Sequence, residues 1–373
     1  MRIGVNARLL IKDKLDGIGW FSVETLKRMT TSHPEVEFIF FFDRPYDESF
    51  IFSSNITPVV MGPPARHPFL WYWWFEISLP IAIRKHHIDL FFSPDGYIPL
   101  RLRIPTIAVI HDINFYHRPM DLPYFTRNYY LYFFPRFARK ATRIITVSEY
   151  SKKDIAKSYD IEYDKIDVVY NGANESYQPL SEEEKTVVKN DFTHGKNYFL
   201  FVGNLHPRKN MVRLLKAFDK FIRKTNADIR LVVIGVRFFK TGDMEQTYEK
   251  MKHKDKVMFL GRQSPHNLCR LYAAATALTF VSIFEGFGMP IIEAMYTNTP
   301  VITSNITSMP EIAGDAAILT NPFSEAEITE SLVRIYKDAE LRSQLVEKGI
   351  KRRDYFTWDK TAERIWKSIQ KIK

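Results

Sequence analysis

Residues 284–295, "FEGFGMPIIEAM", put a carboxylate on either side of a glycine-bracketed turn. Glu285 precedes the turn. Glu293 stands one turn into the helix that Pro290 opens, because a proline's missing N–H costs nothing at the first helical positions. Gly286 and Gly288 bracket Phe287 and permit a tight path, and their N–H groups, with the helix dipole, form an anion site. A bare phosphate would be repelled by the two acids. A ligand carrying both phosphates and hydroxyls fits, with phosphates on the N–H groups and sugar or ribose hydroxyls on the carboxylates. A sugar nucleotide has both. A second stretch, "FLFVGNLHPRKN", ends a strand-like run in Arg208 and Lys209, cations that could neutralise a diphosphate leaving group. A third, "TIAVIHDINF", ends in His111 and Asp112, a pair equally suited to catalysis and to a satisfied buried contact. Gly17 and Gly19 in "DGIGWF" fall just before a helix, but the third glycine of the dinucleotide fingerprint is missing. Each feature taken singly also has an ordinary reading: a loop acid, a solvated basic loop, plain turn chemistry.

The elements that position these residues follow an alternating pattern. Short apolar runs separated by amphipathic stretches predict a parallel sheet covered on both faces. "IGVNAR", "EFIFFF", "LFFSPD", "TIAVIHD", "RIITVS" and "IDVVYNG" read as strands of a first series. "NYFLFVGNL", "IRLVVIGV", "VMFLG", "ALTFVS", "TPVITS" and "AAILT" read as a second. "GWFSVETLKRMTTS" and "YFTRNYYLYFFPRFARKA" read as helices. The polar and acidic segment 173–196, with Pro179 and Gly195, reads as the linker. The expected fold class is α/β, two facing Rossmann-like doubly wound domains with a deep cleft. Domain 1 covers 1–175, joined by a C-terminal helix over 357–373, and domain 2 covers 176–356. Ligands of such sheets bind beyond the carboxyl ends of the strands, where the residues singled out above fall.

Composition narrows the classes further. The chain has 373 residues, 45% hydrophobic and 26% charged, which is globular and long enough for two cores. One cysteine excludes an internal disulfide and fits a reducing, cytoplasmic compartment. No apolar run approaches the ~20 residues of a membrane span, and the first residues lack the features of a signal peptide. The net charge of +10 favours phosphorylated ligands or an anionic membrane surface. Nucleic acid is the weakest of the basic-surface readings, because no zinc-finger or RNA-binding motif accompanies the charge.

"VSIFEGFGMPIIEAMYTNTPVITSN", followed by "MPEIAGDAA", resembles the signature of the retaining glycosyltransferases of family four, the glycosyl transferases group 1. "FVGNLHPRKN", "DGIGWF", "VIHD", "TVSEYSKKDI" and "VVYNGAN" follow the family's order from Gly17 to Asp315. The resemblance implies a GT-B fold and donor-binding residues Gly17, Gly19, Gly286, Phe287, Gly288 and Glu293. It implies that Glu285 holds donor-sugar hydroxyls, Glu293 the ribose and Lys209 the phosphates. His111 would lie near the transferred sugar, and the Gly17–Gly19 loop would close over the diphosphate. The catalytic set is thus His111, Glu285, Arg208 and Lys209. Three positions depart from the family: Asn204 replaces a frequent arginine whose charge Arg208 could supply, Asn298 replaces a glycine, and Val281 replaces a proline. Asparagine tolerates left-handed backbone, so the turn at 298 should survive.

The implied reaction moves a hexosyl group, mannose favoured, from a nucleotide-diphosphate sugar such as GDP-mannose to an acceptor hydroxyl with retention. No cofactor or metal is expected, because the chain has no Asp-x-Asp. Variants of the lysine loop recur in enzymes of bacterial surface polysaccharide synthesis, which points to a glycan or lipid-linked acceptor. "ARHPFLWYWWF" and "YFTRNYYLYFFPRFARK" concentrate aromatic and basic residues in the first domain. Asp112, Trp73 and Trp74 are the candidate acceptor-side residues, with Trp73 and Trp74 read as exposed rings at a membrane interface. Such a protein would sit peripherally on the inner face of the plasma membrane, whereas core packing would leave it free of the lipid. The alternatives are a sugar-nucleotide epimerase, a phosphorylase, or a nucleotide-sugar-binding subunit without turnover.

Overall fold

The computed structural model describes residues 1–236 and 242–372. The chain divides into two compact units, Met1–Gly172 with Trp358–Lys373, and Ala173–Thr357.

The first unit is a seven-stranded parallel sheet in the order β3-β2-β1-β4-β5-β6-β7. Its strands are β1 Arg2–Asn6, β2 Glu37–Phe42, β3 Ile56–Val60, β4 Leu90–Ser93, β5 Thr106–Val109, β6 Arg143–Thr146 and β7 Ile166–Val168. Both faces are covered, so the central strands are buried almost throughout and read as continuous apolar runs. β3 escapes the sequence reading because Pro58 interrupts it. Proline cannot donate to a ladder on both sides, and β3 accommodates it by being an edge strand. The C-terminal helix Trp358–Gln370 belongs to this unit. Thr361 donates to the Tyr170 carbonyl at 2.7 Å, Trp366 stacks on His33 at 3.6 Å, and Lys371 pairs with Asp167 at 2.7 Å.

The second unit is a six-stranded parallel sheet in the order β10-β9-β8-β11-β12-β13. Its strands are β8 Asn197–Val202, β9 Ile229–Ile234, β10 Val257–Gly261, β11 Ala277–Phe280, β12 Val301–Ser304 and β13 Ala317–Thr320. The segment read as a linker contains the helix Glu182–Thr193, which begins with a capping box. Ser181 Oγ accepts the Glu184 N–H at 3.2 Å, and Glu184 accepts the Ser181 N–H at 2.8 Å. The acidic run that suggested a linker is the first turn of that helix, where carboxylates offset the dipole. Asn298 has φ +55°, the left-handed turn expected of it.

Candidate active site

In the second unit the connections diverge between β8 and β11, which leaves a crevice at the carboxyl ends of those strands. β8 leads into Gly203 at φ +148°, and β9 leads into Gly235 at φ +149°. A Cβ on Gly235 would lie 2.0 Å from the Gly203 carbonyl oxygen, so this approach of two backbones admits no side chain. The chain then forms the short 3-10 turn Pro207–Lys209. Asn210 is buried, left-handed at φ +63°, and donates from Nδ2 to the Val281 carbonyl at 3.0 Å and the Pro322 carbonyl at 2.7 Å. It ties the loop after β8 to the loop after β11. The backbone joins them again, since Ile283 N–H donates to the Arg208 carbonyl at 2.7 Å.

These ties bring both cations to one acid. Lys209 Nζ stands 2.7 Å from Glu285 Oε1, and Arg208 Nη1 stands 2.9 Å from Glu285 Oε2. Glu285 and Lys209 are only 7% and 8% exposed, while Arg208 is half-buried. The lysine stem lies along Gly203, and its ammonium sits 4.7 Å from the centre of the Phe280 ring. Burial pushes the Glu285 carboxyl up, but Arg208 and Lys209 together outweigh it and hold it down at about 2. Two cations against one carboxylate leave the trio positive, as an anion site requires.

The glycine loop is fixed from behind. Ser308 Oγ reaches both the Glu285 and Phe287 carbonyls at 2.9 Å, and the Glu285 N–H donates to Thr307 Oγ1 at 3.4 Å. Gly286, Phe287 and Gly288 are buried, and Gly288 takes φ +106° as it caps the helix Met289–Tyr296. The helix starts one residue before Pro290, which occupies its second position.

Glu293 sits in a different environment. It is half-buried and accepts the Tyr272 hydroxyl at 2.6 Å. Burial raises its carboxyl above the ordinary range, opposed by hydrogen bonds from Tyr272 and Tyr177 and by the charge of Lys209. The rings of Tyr177 and Tyr272 meet edge to face at 5.5 Å. One acid is therefore held by cations and the other by phenols, which separates their chemistry.

In the first unit the connections diverge between β1 and β4. Arg8, just past β1, and Asp95, just past β4, form a buried ion pair at 2.7 Å. Asn6 Nδ2 donates to Asp95 Oδ1 at 2.7 Å, and the Arg8 guanidinium lies 4.6 Å from the centre of the Tyr97 ring. Burial opposes the Arg8 charge, but Asp95 outweighs it and keeps the group protonated. His111, beyond β5, places Nε2 2.9 Å from the Pro94 carbonyl oxygen. A carbonyl only accepts, so Nε2 carries the hydrogen and Nδ1 the lone pair. Phe21 packs edge-on against the imidazole at 4.8 Å.

Three expectations change here. His111 and Asp112, left open between catalysis and a buried contact, do not hydrogen-bond to each other: the histidine bonds to Pro94, and the Asp112 carboxylate accepts the Asn114 N–H at 2.9 Å. Gly17 and Gly19 lie inside the first turn of the helix Gly17–Ser32 rather than before it, because Asp16 caps that helix by accepting the Gly19 N–H at 2.9 Å. Trp74 is fully buried and donates from its indole nitrogen to the Met61 carbonyl at 3.1 Å, so it belongs to the core. Trp73 is 53% exposed. Sequence reasoning missed Asn6, Asp95, Asn210, Ser308, Tyr272 and Tyr177, and it read Arg8 only as a strand end.

Burial pushes the His111 imidazole below its ordinary 6.5, against the Pro94 hydrogen bond and nearby acids that pull it up. A depressed folded-state value means that the neutral ring is fully stabilising above pH 6.5, and that this stability is lost as pH falls through the folded-state value. Thermal midpoints measured downward from pH 7 should fall less steeply for His111→Asn than for the wild type. Parallel slopes would show that His111 titrates normally.

Two parallel doubly wound units in one chain define the GT-B class of fold. The family Glycosyltransferase Family 4 matches residues 15–177, and Glycosyl transferases group 1 matches residues 182–352. The chain belongs to this glycosyltransferase family. It is 33% identical over 272 residues to the O-antigen chain mannosyltransferase RfbU of Salmonella typhimurium, covering 73% of this chain and 72% of the relative. It is 26% identical over 368 residues to O-antigen chain mannosyltransferase B of Escherichia coli, covering 94% of each. The fold is similar to that of Anabaena HepE in complex with UDP-glucose, at a TM-score of 0.76, 16% identity and 100% coverage of both chains. It is also similar to WaaG, a glycosyltransferase involved in lipopolysaccharide biosynthesis, at a TM-score of 0.71, 16% identity and 98% coverage of both.

Proposed function

We propose that the chain is a retaining hexosyltransferase of the cytoplasm. It moves mannose from GDP-mannose to a hydroxyl of a glycan acceptor, lipid-linked, in the synthesis of a bacterial surface polysaccharide. The observation that carries the catalytic reading is the convergence of Arg208 and Lys209 on buried Glu285 at the crevice between β8 and β11. The likeness to two O-antigen mannosyltransferases supports the choice of sugar and pathway.

In the reaction the bond from the anomeric carbon to the diphosphate oxygen breaks, and its electron pair leaves with the diphosphate. The acceptor oxygen bonds to the same face of that carbon, and its proton passes to the departing phosphate. Lys209, Arg208 and the N–H groups of the glycine loop stabilise the charge that develops on the leaving group. Glu285 accepts hydrogen bonds from donor-sugar hydroxyls, and Glu293 from the ribose. His111 stays neutral with the lone pair on Nδ1, and its proposed place is near the transferred sugar. With two cations supplied by the protein, the reaction needs no divalent metal.

The test is transfer from a panel of nucleotide sugars to membrane-extracted lipid acceptors, with the anomeric configuration of the product read by NMR. GDP-mannose should be the preferred donor, with α configuration retained, and activity should persist in excess EDTA. An inverted product, or activity lost in EDTA and restored by manganese, would overturn the corresponding part. Turnover of the donor without any acceptor would favour an epimerase.

A further inference from the structure

We propose that the first unit carries a docking face for an anionic lipid bilayer, built from the helical run after β3 and the helix Tyr124–Lys140. The inference does not rest on the catalytic assignments above. Residues 68–85 form one continuous helical run in three segments, α-helical Pro68–Trp73, π-helical Trp74–Ser78 and α-helical Leu79–Lys85. In a plain α-helix, residues four apart drift around the axis by about 40° per step. The wider i→i+5 turn in the middle counteracts that drift. Phe69, Trp73, Ile77 and Ile81, each four apart, are accordingly all on the surface, at 69%, 53%, 39% and 60% exposure. Trp74, Leu79 and Ile83 face the core.

The neighbouring helix extends the same face. Phe125, 58% exposed, meets Phe69 at 6.2 Å, and Tyr72 meets Phe133 at 6.0 Å. A row of exposed large apolar side chains on adjoining helices is more than the scattered singles of an ordinary surface. Its charge identifies the occupant. Arg127 lies over the Tyr124 ring at 5.3 Å, Arg136 over the Tyr132 ring at 3.5 Å, and exposed Lys85 continues the four-residue stripe after Ile81. Residues 122–142 contain no aspartate or glutamate. The one acid of the run 68–85, Glu76, is turned to the Leu100 N–H at 2.8 Å. Aromatic and aliphatic side chains flanked by arginine and lysine match the acyl boundary and headgroups of an anionic leaflet. A second copy of this face would instead bring cations against cations. Among the described residues no helix is long and apolar enough to cross a membrane, so the attachment is to the surface.

The test is co-sedimentation of the full-length protein with vesicles of phosphatidylcholine alone, or mixed with phosphatidylglycerol. At low salt the protein should bind the mixed vesicles about tenfold more than the neutral ones, and ~1 M salt, where screening reaches ~3 Å, should release it. The triple change Phe69→Ser, Ile77→Ser, Ile81→Ser should weaken binding at least about tenfold. Its thermal midpoint should fall by no more than about 2–4 °C, because Phe69 and Ile81 are mostly exposed and Ile77 is 39% exposed. The double change Arg127→Glu, Arg136→Glu should abolish the preference for phosphatidylglycerol, and it keeps the test decisive if the triple variant misfolds. No binding to anionic vesicles at low salt, or charge-reversed protein that binds them as well as wild type, would overturn the proposal. So would a wild-type dimer that the triple change converts to monomer, since the face would then be a protein interface.

Discussion

Lys209→Ala should lower turnover by about 10²–10³-fold, the loss of roughly 2.7–4 kcal/mol that follows removal of one donor from a site of developing negative charge. The size of the effect follows from burial. Lys209 is 8% exposed, its stem is confined by Gly203, and its ammonium is fixed 2.7 Å from Glu285. A preorganised cation in so dry a place costs no reorganisation when the diphosphate leaves. Arg208→Ala should cost less, because Arg208 is half-buried and water can replace part of its charge. Both changes should weaken nucleoside diphosphate binding, and both should let the Glu285 carboxyl rise from about 2. Lys209→Arg should not restore activity, since a planar guanidinium cannot take the place of the compact ammonium held between Glu285 and the Phe280 ring. The readout is kcat and KM for a donor that turns over. Wild-type kcat/KM in Lys209→Ala would remove the lysine from the chemistry.

The strand-end residues were legible in the sequence where one short segment contained both the punctuation and the chemistry. Glu285, the glycine pair, Pro290 and Glu293 lie within nine residues, and Arg208 and Lys209 directly follow a strand. The second sheet was legible for the same reason: its six strands are short apolar runs bounded by turns. What could not be read was anything that depends on two distant segments meeting. Arg8 and Asp95 are 87 residues apart and become a pair only once β1 and β4 are neighbours. Asn210 looks like an ordinary loop asparagine until Val281 and Pro322 are found to flank it. Tyr272 reaches Glu293 only because the helices Pro265–Ala273 and Met289–Tyr296 lie side by side. Other misses had a local signal that was outweighed. Ser181 and Glu184 spell a capping box, but the run of glutamates beside them reads as linker. Trp73 and Trp74 are adjacent and identical in type, and only their helical phase separates surface from core. Beyond them the π turn Trp74–Ser78 keeps Ile77 and Ile81 on the Trp73 side, which no simple 3.6-residue period anticipates.

Glu285→Gln and Glu293→Gln should fail in opposite ways. Replacing Glu285 removes the carboxylate between Arg208 and Lys209, so the buried cluster loses the anion both cations share and the unit loses stability, by about 3 kcal/mol for a buried pair broken on one side. The loop itself should hold, because Ser308 grips it through the Glu285 and Phe287 carbonyls rather than through the side chain. With that negative charge gone from between the two cations, nucleoside diphosphate should bind at least as tightly as to wild type, and bound diphosphate should recover much of the lost thermal stability. Turnover should nevertheless fall about 10²-fold or more, because an amide cannot replace a carboxylate as a charged acceptor of sugar hydroxyls. Glu293→Gln leaves the cation cluster untouched, and its amide oxygen can still accept the Tyr272 hydroxyl, so folding should be little changed. What it loses is a charged acceptor for the ribose, about 1.5–3 kcal/mol, or roughly tenfold or more in nucleotide affinity. Calorimetry with the nucleoside diphosphate, set beside steady-state kinetics, separates the two. The first variant should show intact binding with low kcat, and the second weak binding with a raised KM. The reverse pattern would mean that the ribose lies on Glu285 and the transferred sugar on Glu293.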